Sequence, residues 1–441
     1  MKDMLQHRGL RLIFVANMVS MIGSGMNTAA VTWFVLQATH SEMALGTLLM
    51  LQTIPALFML PFGGVVIDRE DRRRLVMVLD AARGLIILLV AMLAYRGLAT
   101  LWEVYVMSIL VAAGFWMFWP TITALIQELT PQSRFVHANS FLLAGFQGGW
   151  LIAGAMVGFV YNAIGLGGIL FIDFASYVVS FTCYLFVRKG RHTVSVAGES
   201  GRHESAVGRF LHELGEGIAY IKLRPRVLLL GSAWALFLVA MFTQGVITAP
   251  FSDHILKTGA VGYGWLNGGW AIGALVSAIF TPASIRGTGH RRAIGVATAV
   301  LGASLIALPW VGLHVHGSLR LGSLGMVAGA LAISVLIYAI MGCCRALGGV
   351  AITSTIMELV PKHFMGRVQN TFYFASTCLM LGLAFLVGAA AHKRSLTLAF
   401  SIVGALYLLA CVTGTWTAKE TDVREARHES TAVEIVDEVQ T

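Results

Sequence analysis

The stretch from Gly63 to Leu75 reads G-G-V-V-I-D-R-E-D-R-R-R-L. An apolar run closed by Pro61 and Phe62 precedes it, and another apolar run begins at Leu75. Between the two stand Asp68, Arg69, Glu70, Asp71, Arg72, Arg73 and Arg74, a charge density that hydrocarbon does not accept. The stretch therefore reads as a tight turn between two membrane helices, with Gly63 and Gly64 letting backbones approach closely. The plainest account is a solvated basic turn obeying the positive-inside rule. The order Gly, then Asp-Arg, then further arginines is more particular than that account requires.

The rest of the chain agrees that lipid is the solvent. Of 441 residues, 57% are hydrophobic and 12% charged, and mean hydropathy is +0.77. A chain this apolar lacks the polar surface to cover a globule in water. Its 48 glycines and 9 prolines suit helices that kink and pack closely in a bilayer. The net charge of +9 belongs to the loops; no aromatic-basic surface accompanies it, so no nucleic-acid partner is expected. Cys183, Cys343, Cys344, Cys378 and Cys411 all lie in apolar runs, which implies buried thiols and no disulfide framework. The first apolar segment is much longer than the core of a signal peptide and leads straight into others, so no cleaved leader is expected.

Segments long enough to cross ~30 Å at 1.5 Å per residue fall at about 10–38, 43–67, 75–95, 101–127, 136–162, 167–188, 227–250, 260–283, 292–313, 322–357, 368–391 and 396–417. The fold expected is an all-α membrane protein of twelve transmembrane helices in two six-helix, pseudo-symmetric halves. Residues 1–188 form the first half, 189–226 a polar linker and 227–418 the second half; 419–441 is a polar tail expected to be disordered. With the N-terminus inside, cytoplasmic segments hold about 24 Lys and Arg and external loops about five, the bias of the positive-inside rule. The opposite orientation would export Arg188, Lys189, Arg191, Arg224 and Arg226 together. Both termini are thus expected in the cytoplasm, with Lys393-Arg394 an external exception that has no account.

A repeat supports the division. Ile126–Phe141 reads I-Q-E-L-T-P-Q-S-R-F-V-H-A-N-S-F, and Ile356–Phe372 reads I-M-E-L-V-P-K-H-F-M-G-R-V-Q-N-T-F. Both share E-L-x-P, an Arg, then Asn-Ser/Thr-Phe, after the fourth and tenth spans respectively, which is the mark of duplication. The second-half counterpart of the basic turn, Ile285–Arg292 (I-R-G-T-G-H-R-R), keeps Gly and Arg but has no Asp.

The spacing G-x-x-x-D-R-x-x-R-R resembles the signature loop of the major facilitator superfamily. S-M-I-G-S-G in the first span, T-H-S-E-M-A-L-G, Q-T-I-P-A-L and D-A-A-R at 80–83 are similar to its bacterial efflux branch, the one with macrolide-efflux and enterobactin-exporter-like proteins. The resemblance implies that Gly64, Asp68, Arg69, Arg72 and Arg73 build a cytoplasmic gate, and that the protein exports a small organic solute by alternating access with proton antiport. It further implies a monomer in the bacterial inner membrane. Exporters of this kind often carry G-P-x-x-x-G in the fifth span; here Gly149-Trp150-Leu151-Ile152-Ala153-Gly154 has Trp in place of Pro. Glycines 145, 149, 154 and 158 still form a small-residue stripe. A dedicated siderophore exporter, a lipid flippase and a transport-dead receptor on the same fold are the alternatives. An enzyme is disfavoured, since no H-E-x-x-H, G-x-S-x-G or nucleotide loop appears, and no cofactor is expected.

Proton coupling needs an intramembrane carboxylate or His whose protonation can change as its surroundings dry out. The first span offers only Asn17, Asn27 and Gln37. Asp80, with Arg83 one turn on, reads as an i,i+3 gating pair more readily than as a proton carrier. Asp173, in the outer third of the sixth span, is the candidate coupling group, set against a capping or interhelical role. Glu128 and Glu358, at the cytoplasmic ends of the repeated helices, are expected in gating.

Arg345 lies roughly 20 Å along its helix from Glu358, a depth costing at least ~2.5 kcal/mol without a cavity or partner. It reads equally as an anchor for an anionic substrate and as a structural cation, either a member of an internal ion pair or a snorkelling side chain. Trp116 and Trp119 could stack on a planar ligand; Gln244 and Asn27 are further candidate substrate contacts. His314 and His316 are too few ligands for a metal site.

Overall fold

The computed structural model describes residues 8–129, 135–187, 206–315, 318–320, 326–393 and 395–417. The side chains of residues 60–65, of Asp68 and Arg69, and of 131–144 lie outside the described part, as do the tail and the first portion of the linker.

Helices occupy Arg8–Thr39 (α1), Glu42–Arg69 (α2), Arg72–Tyr95 (α3), Leu101–Leu129 (α4) and Phe135–Leu185. The last of these is broken at Gly165, whose φ of 65° only glycine adopts freely, into α5 (135–164) and α6 (166–185). There follow α7 (Ala206–Lys222), α8 (Pro225–Pro250), α9 (Gly259–Thr288), α10 (His290–His314), α11 (Gly329–Leu359), α12 (Lys362–Lys393) and α13 (Leu396–Thr417). Ten helices among the described residues are long and apolar enough to cross a membrane. With α5 and α9, parts of which lack described side chains, the membrane-length helices number twelve.

Local chemistry explains the ends and the interiors of these helices. The charged turn stops α2 at Arg69, and Asp71 starts α3 by accepting the Arg74 backbone N–H at 3.0 Å. Within the spans, the hydroxyls of Thr28, Thr53, Thr121, Thr298 and Thr355 return to the carbonyl four residues back, which keeps these donors satisfied in hydrocarbon. Large apolar side chains such as Leu85, Leu89, Leu275, Phe280 and Leu336 point outward, while Asp80, Arg83 and Asp173 are fully buried. That inversion of the soluble pattern is what a lipid solvent demands.

The chain divides into two compact units, Met1–Arg209 with Gly259–Gly268, and Phe210–Thr258 with Gly269–Thr441. Within the first, α1 packs on α5 and α6, α3 packs on α6 and α4, and α2 packs on α4. Within the second, α8 packs on α12 and α13, and α10 on α13 and α11. The pairings repeat with an offset of seven helices, α7 being the extra one, and this is the duplication seen in the two E-L-x-P segments. The linker expected over 189–226 contains α7, and within the apolar run drawn from 322 a strand precedes the helix. Ser318–Arg320 pairs antiparallel with Met326–Ala328, and α11 starts only at Gly329.

The glycine stripe of the fifth span splits between two neighbours. A Cβ at Gly149 would come within 2.7 Å of the Met18 carbonyl of α1, whereas one at Gly154 would face Asn267. In the second unit, α9 and α11 cross even more closely: a Cβ at Gly269 would sit 2.7 Å from the Val335 carbonyl, and one at Gly273 would collide with the Ala339 carbonyl. Here the obstacle is backbone, which cannot swing aside. Gly273→Leu should therefore cost about 1–3 kcal/mol through overpacking and lower the thermal midpoint of the detergent-solubilised protein. An unchanged midpoint would refute the close crossing.

Candidate functional site

The charged groups of the first unit meet along one face of α6. Asp173, Ser176, Tyr177, Ser180 and Tyr184 follow one another at helical spacing, and each finds a polar partner on another helix or within the stripe. Asn27 of α1 donates from Nδ2 to Asp173 Oδ2 at 2.6 Å, and Ser176 Oγ donates to the Asp173 carbonyl at 2.7 Å, with Oδ1 at 3.4 Å. The Tyr177 hydroxyl is 3.0 Å from Ser24 Oγ. Ser180 Oγ donates to Asp80 Oδ2 at 2.6 Å. The Tyr184 hydroxyl is 3.5 Å from Asn17 Nδ2, which also donates to the Ile13 carbonyl at 2.9 Å. Gly23 lets α1 approach: a Cβ there would stand 2.6 Å from Asp173 Oδ1.

Asp80 and Arg83 form the expected i,i+3 pair, Nη2 to Oδ1 at 2.5 Å. The guanidinium is sandwiched between Phe118 (4.5 Å to the ring centroid) and Tyr177 (4.7 Å), and it lies within electrostatic reach of Asp173 as well. Gly114 makes room for it, since a Cβ would come within 2.7 Å of Arg83 Cγ. Among the described residues Arg83 Nη1 has no hydrogen-bond partner. Arg83 is thus paired with Asp80, with Asp173 as a second carboxylate within its electrostatic reach, in a site without exposed surface.

At the end of the same bundle the arginines of the charged turn reach inward. Arg72 Nη1 pairs with Glu128 Oε1 at 2.7 Å. Arg73 donates from Nε to the Tyr184 carbonyl at 2.7 Å and from Nη2 to the Leu185 carbonyl at 2.6 Å, closing the last turn of α6. A cation there satisfies orphan carbonyls and the negative end of the helix dipole. The second unit carries the counterpart: His290, at the start of α10, is 4.0 Å from Glu358 at the end of α11. The Arg–Glu pair of the first half is a His–Glu pair in the second. Gly64 lies in the last turns of α2, and the side chains of Asp68 and Arg69 lie outside the described part.

Arg345 stands in the second unit with soft neighbours. Its guanidinium lies 4.7 Å from the Trp270 ring centroid and touches Met241 Sδ. Among the described residues it forms no ion pair, and its Nε has no hydrogen-bond partner. Of the expectations for this residue, an internal ion pair is not found among the described residues.

The other candidates fare unequally. Asn27 is committed to Asp173, so it belongs to the carboxylate cluster and not to a free binding surface. Trp116 Nε1 reaches the Gln52 carbonyl at 3.4 Å. Trp119 packs against the apolar core of Leu10, Ile13, Val76, Phe118 and Ile122. Gln244 is half-buried, and its carbonyl accepts from Thr248 at 2.9 Å. Sequence reasoning passed over Tyr177, Ser180, Gly114 and Trp270. The helical spacing of the α6 hydroxyls was a usable signal; nothing local marks Trp270 as the neighbour of Arg345.

Twelve membrane helices in two repeated bundles, with ionised groups inside the bundles and at their ends, define a multi-pass membrane transporter. The profile of the Major Facilitator Superfamily matches residues 13–384, and the chain belongs to that family; it is a transporter and not an enzyme. It is 24% identical over 407 residues to the uncharacterized MFS-type transporter YkuC of Bacillus subtilis, covering 87% of this chain and 86% of that one. It is 24% identical over 213 residues to macrolide efflux protein A of Streptococcus pyogenes, covering 48% of this chain and 50% of that one. Among solved structures, the nucleoside transporter NupG superposes with a TM-score of 0.69 at 11% identity, over 94% of this chain and 100% of that one. A POT family transporter superposes with a TM-score of 0.68 at 13% identity, over 93% of this chain and 96% of that one. Such a protein binds a small-molecule substrate and works in a lipid bilayer.

Proposed function

We propose that this transporter exports a small organic solute bearing a carboxylate, catecholate or phosphate, by alternating access, in exchange for protons. It works as a monomer in the bacterial inner membrane, with both termini in the cytoplasm. The observation that carries the substrate class is Arg345: a guanidinium with an unclaimed N–H, beside an aromatic face and a thioether, and no acid paired with it among the described residues. A planar fork of donors that stays charged at any working pH suits a bidentate oxyanion. Likeness to the macrolide efflux protein over half the chain supports outward transport of an organic molecule.

The proton side rests on the α6 cluster. Leaving a carboxylate buried and uncompensated costs several kcal/mol, and Arg83 can neutralise only one of Asp80 and Asp173. A proton on Asp173 leaves the cluster neutral, and releasing it obliges Arg83 to answer to two acids. Alternation between those states is the coupling device proposed. Arg72, Arg73, Glu128 and Glu358, with Gly64, Asp68 and Arg69 on α2, act at the cytoplasmic ends; Trp116, Trp119 and Gln244 are secondary substrate contacts.

The test is flux in proteoliposomes under an imposed pH gradient, with labelled catecholate and carboxylate siderophores, macrolides and lipophilic cations offered in turn. Gradient-dependent movement of the oxyanions is expected. Movement of cations alone would refute the substrate class, bound ligand without flux would make the protein a receptor, and movement of labelled phospholipid would make it a flippase.

A further inference from the structure

Helix α7 (Ala206–Lys222) takes no part in the clusters above, and its two faces are made differently. One face is docked on α12. Tyr220 stacks on Phe364 with ring centroids 4.6 Å apart, Phe210 meets Phe374 edge-on at 5.9 Å, and Arg367 Nε pairs with Glu216 Oε2 at 3.1 Å. Gly217 lies against the Arg367 carbonyl, where a Cβ would stand 2.7 Å away. Residue 210 meets 374 and residue 220 meets 364, so α7 runs antiparallel along the opening turns of α12. That helix has 32 residues, about 48 Å at 1.5 Å per residue, against a hydrocarbon core of ~30 Å. Its first turns carry Lys362, His363, Arg367, Gln369 and Asn370, which suits the headgroup layer, and α7 packs beside them.

The opposite face suits that position. Leu211, Gly215, Ile218 and Lys222 follow one another at helical spacing and are exposed, and Leu223 beyond them is 79% exposed. The helix ends at Lys222, and Arg224 and Arg226 follow at the turn into α8; all three are exposed. The Arg224 guanidinium rests at the end of the helix on the Tyr220 ring, 4.0 Å from its centroid. The helix's own acids are turned elsewhere, Glu216 to Arg367 and Glu213 to a half-buried flank. We propose that α7 is an interfacial anchor that binds anionic phospholipid, with Leu211 and Ile218 among the acyl chains and Lys222, Arg224 and Arg226 on the phosphates. Amphipathic helices with a basic polar end bind anionic leaflets in this way, apolar burial and charge acting together. The leaflet is the cytoplasmic one under the orientation proposed above, but the binding itself depends on neither orientation nor transport.

The experiment places the full-length protein in nanodiscs of phosphatidylcholine alone, or of phosphatidylcholine with phosphatidylglycerol, and follows amide hydrogen exchange in the 208–224 segment. At low salt, phosphatidylglycerol should slow exchange by about fivefold per engaged cation, up to roughly a hundredfold for all three. The triple variant Lys222→Gln, Arg224→Gln, Arg226→Gln should exchange alike in the two lipids. Because Arg224 also steadies Tyr220, a second arm uses the wild-type protein in about 1 M salt, where screening to ~3 Å should erase the lipid dependence without any substitution. Equal exchange in both lipids at low salt would overturn the proposal, as would a lipid dependence that survives both the triple substitution and the salt.

Discussion

Replacing Asp173 with Asn should uncouple transport from the proton gradient while leaving exchange of substrate across the membrane intact. The side chain keeps its shape and loses its charge, so the Asn27 and Ser176 contacts at 2.6 and 3.4 Å have an isosteric partner. What disappears is the second acid that Arg83 must answer to. An imposed gradient of one pH unit is worth about 1.4 kcal/mol per proton, enough for about tenfold accumulation at one proton per solute. In proteoliposomes, Asp173→Asn should lower that ratio to unity with counterflow of labelled substrate preserved. Uphill export at the wild-type ratio would reassign the proton to Asp80 or to the glutamates. Asp80 makes the more damaging target, since it holds both Arg83 and Ser180, and its loss would strand a buried guanidinium.

Arg345→Ala should weaken oxyanion binding by about 10- to 150-fold, the equivalent of ~1.5–3 kcal/mol for hydrogen bonds to a charged group. Neutral ligands should bind as before. Arg345→Lys should fall between, because an ammonium keeps the charge but not the planar fork. Calorimetric titration of the purified variants, with a melting curve to establish that each is folded, separates these outcomes. Equal affinity for anionic ligands in wild type and Arg345→Ala would leave Arg345 as a structural cation held by Trp270 and Met241, and the substrate class would have to be sought elsewhere.

Much of the architecture was legible in one dimension because the bilayer imposes its own ruler. Any chain that crosses it must supply about 20 apolar residues per helix, and charges must collect where the helices turn. The positions of the turns, the repeated E-L-x-P segments at Glu128 and Glu358, and the Asp80–Arg83 pair can each be read one helix or one turn at a time. These are local quantities, and the folded chain preserves them. The boundaries drawn from apolarity were less secure where a short hairpin or an amphipathic helix interrupts the pattern, as at 318–328 and 206–222.

Partners across helices were not legible, for a physical reason. Which face of one span meets which face of another depends on rotation and crossing, and in lipid these are set by where small residues let backbones approach. Gly23 brings Asn27 onto Asp173 across 146 positions, and Gly114 admits Arg83 between Phe118 and Tyr177. The sequence alone marked Asp173 as a carboxylate without a neighbour; only packing supplied Asn27 and brought it within electrostatic reach of the guanidinium that pairs with Asp80. That one side of Trp119 rests on the apolar core was likewise decided by packing. Arg345 was recognisable by its depth alone, but its neighbours, Trp270 and Met241, come from helices about 75 and 104 residues away, joined only by the long-range packing of the second unit. The sequence by itself determined the solvent, the number of spans and the duplicated plan, because each is a property of one helix or one turn; the tertiary structure decided which buried charges share a site, because that is a property of helix pairs.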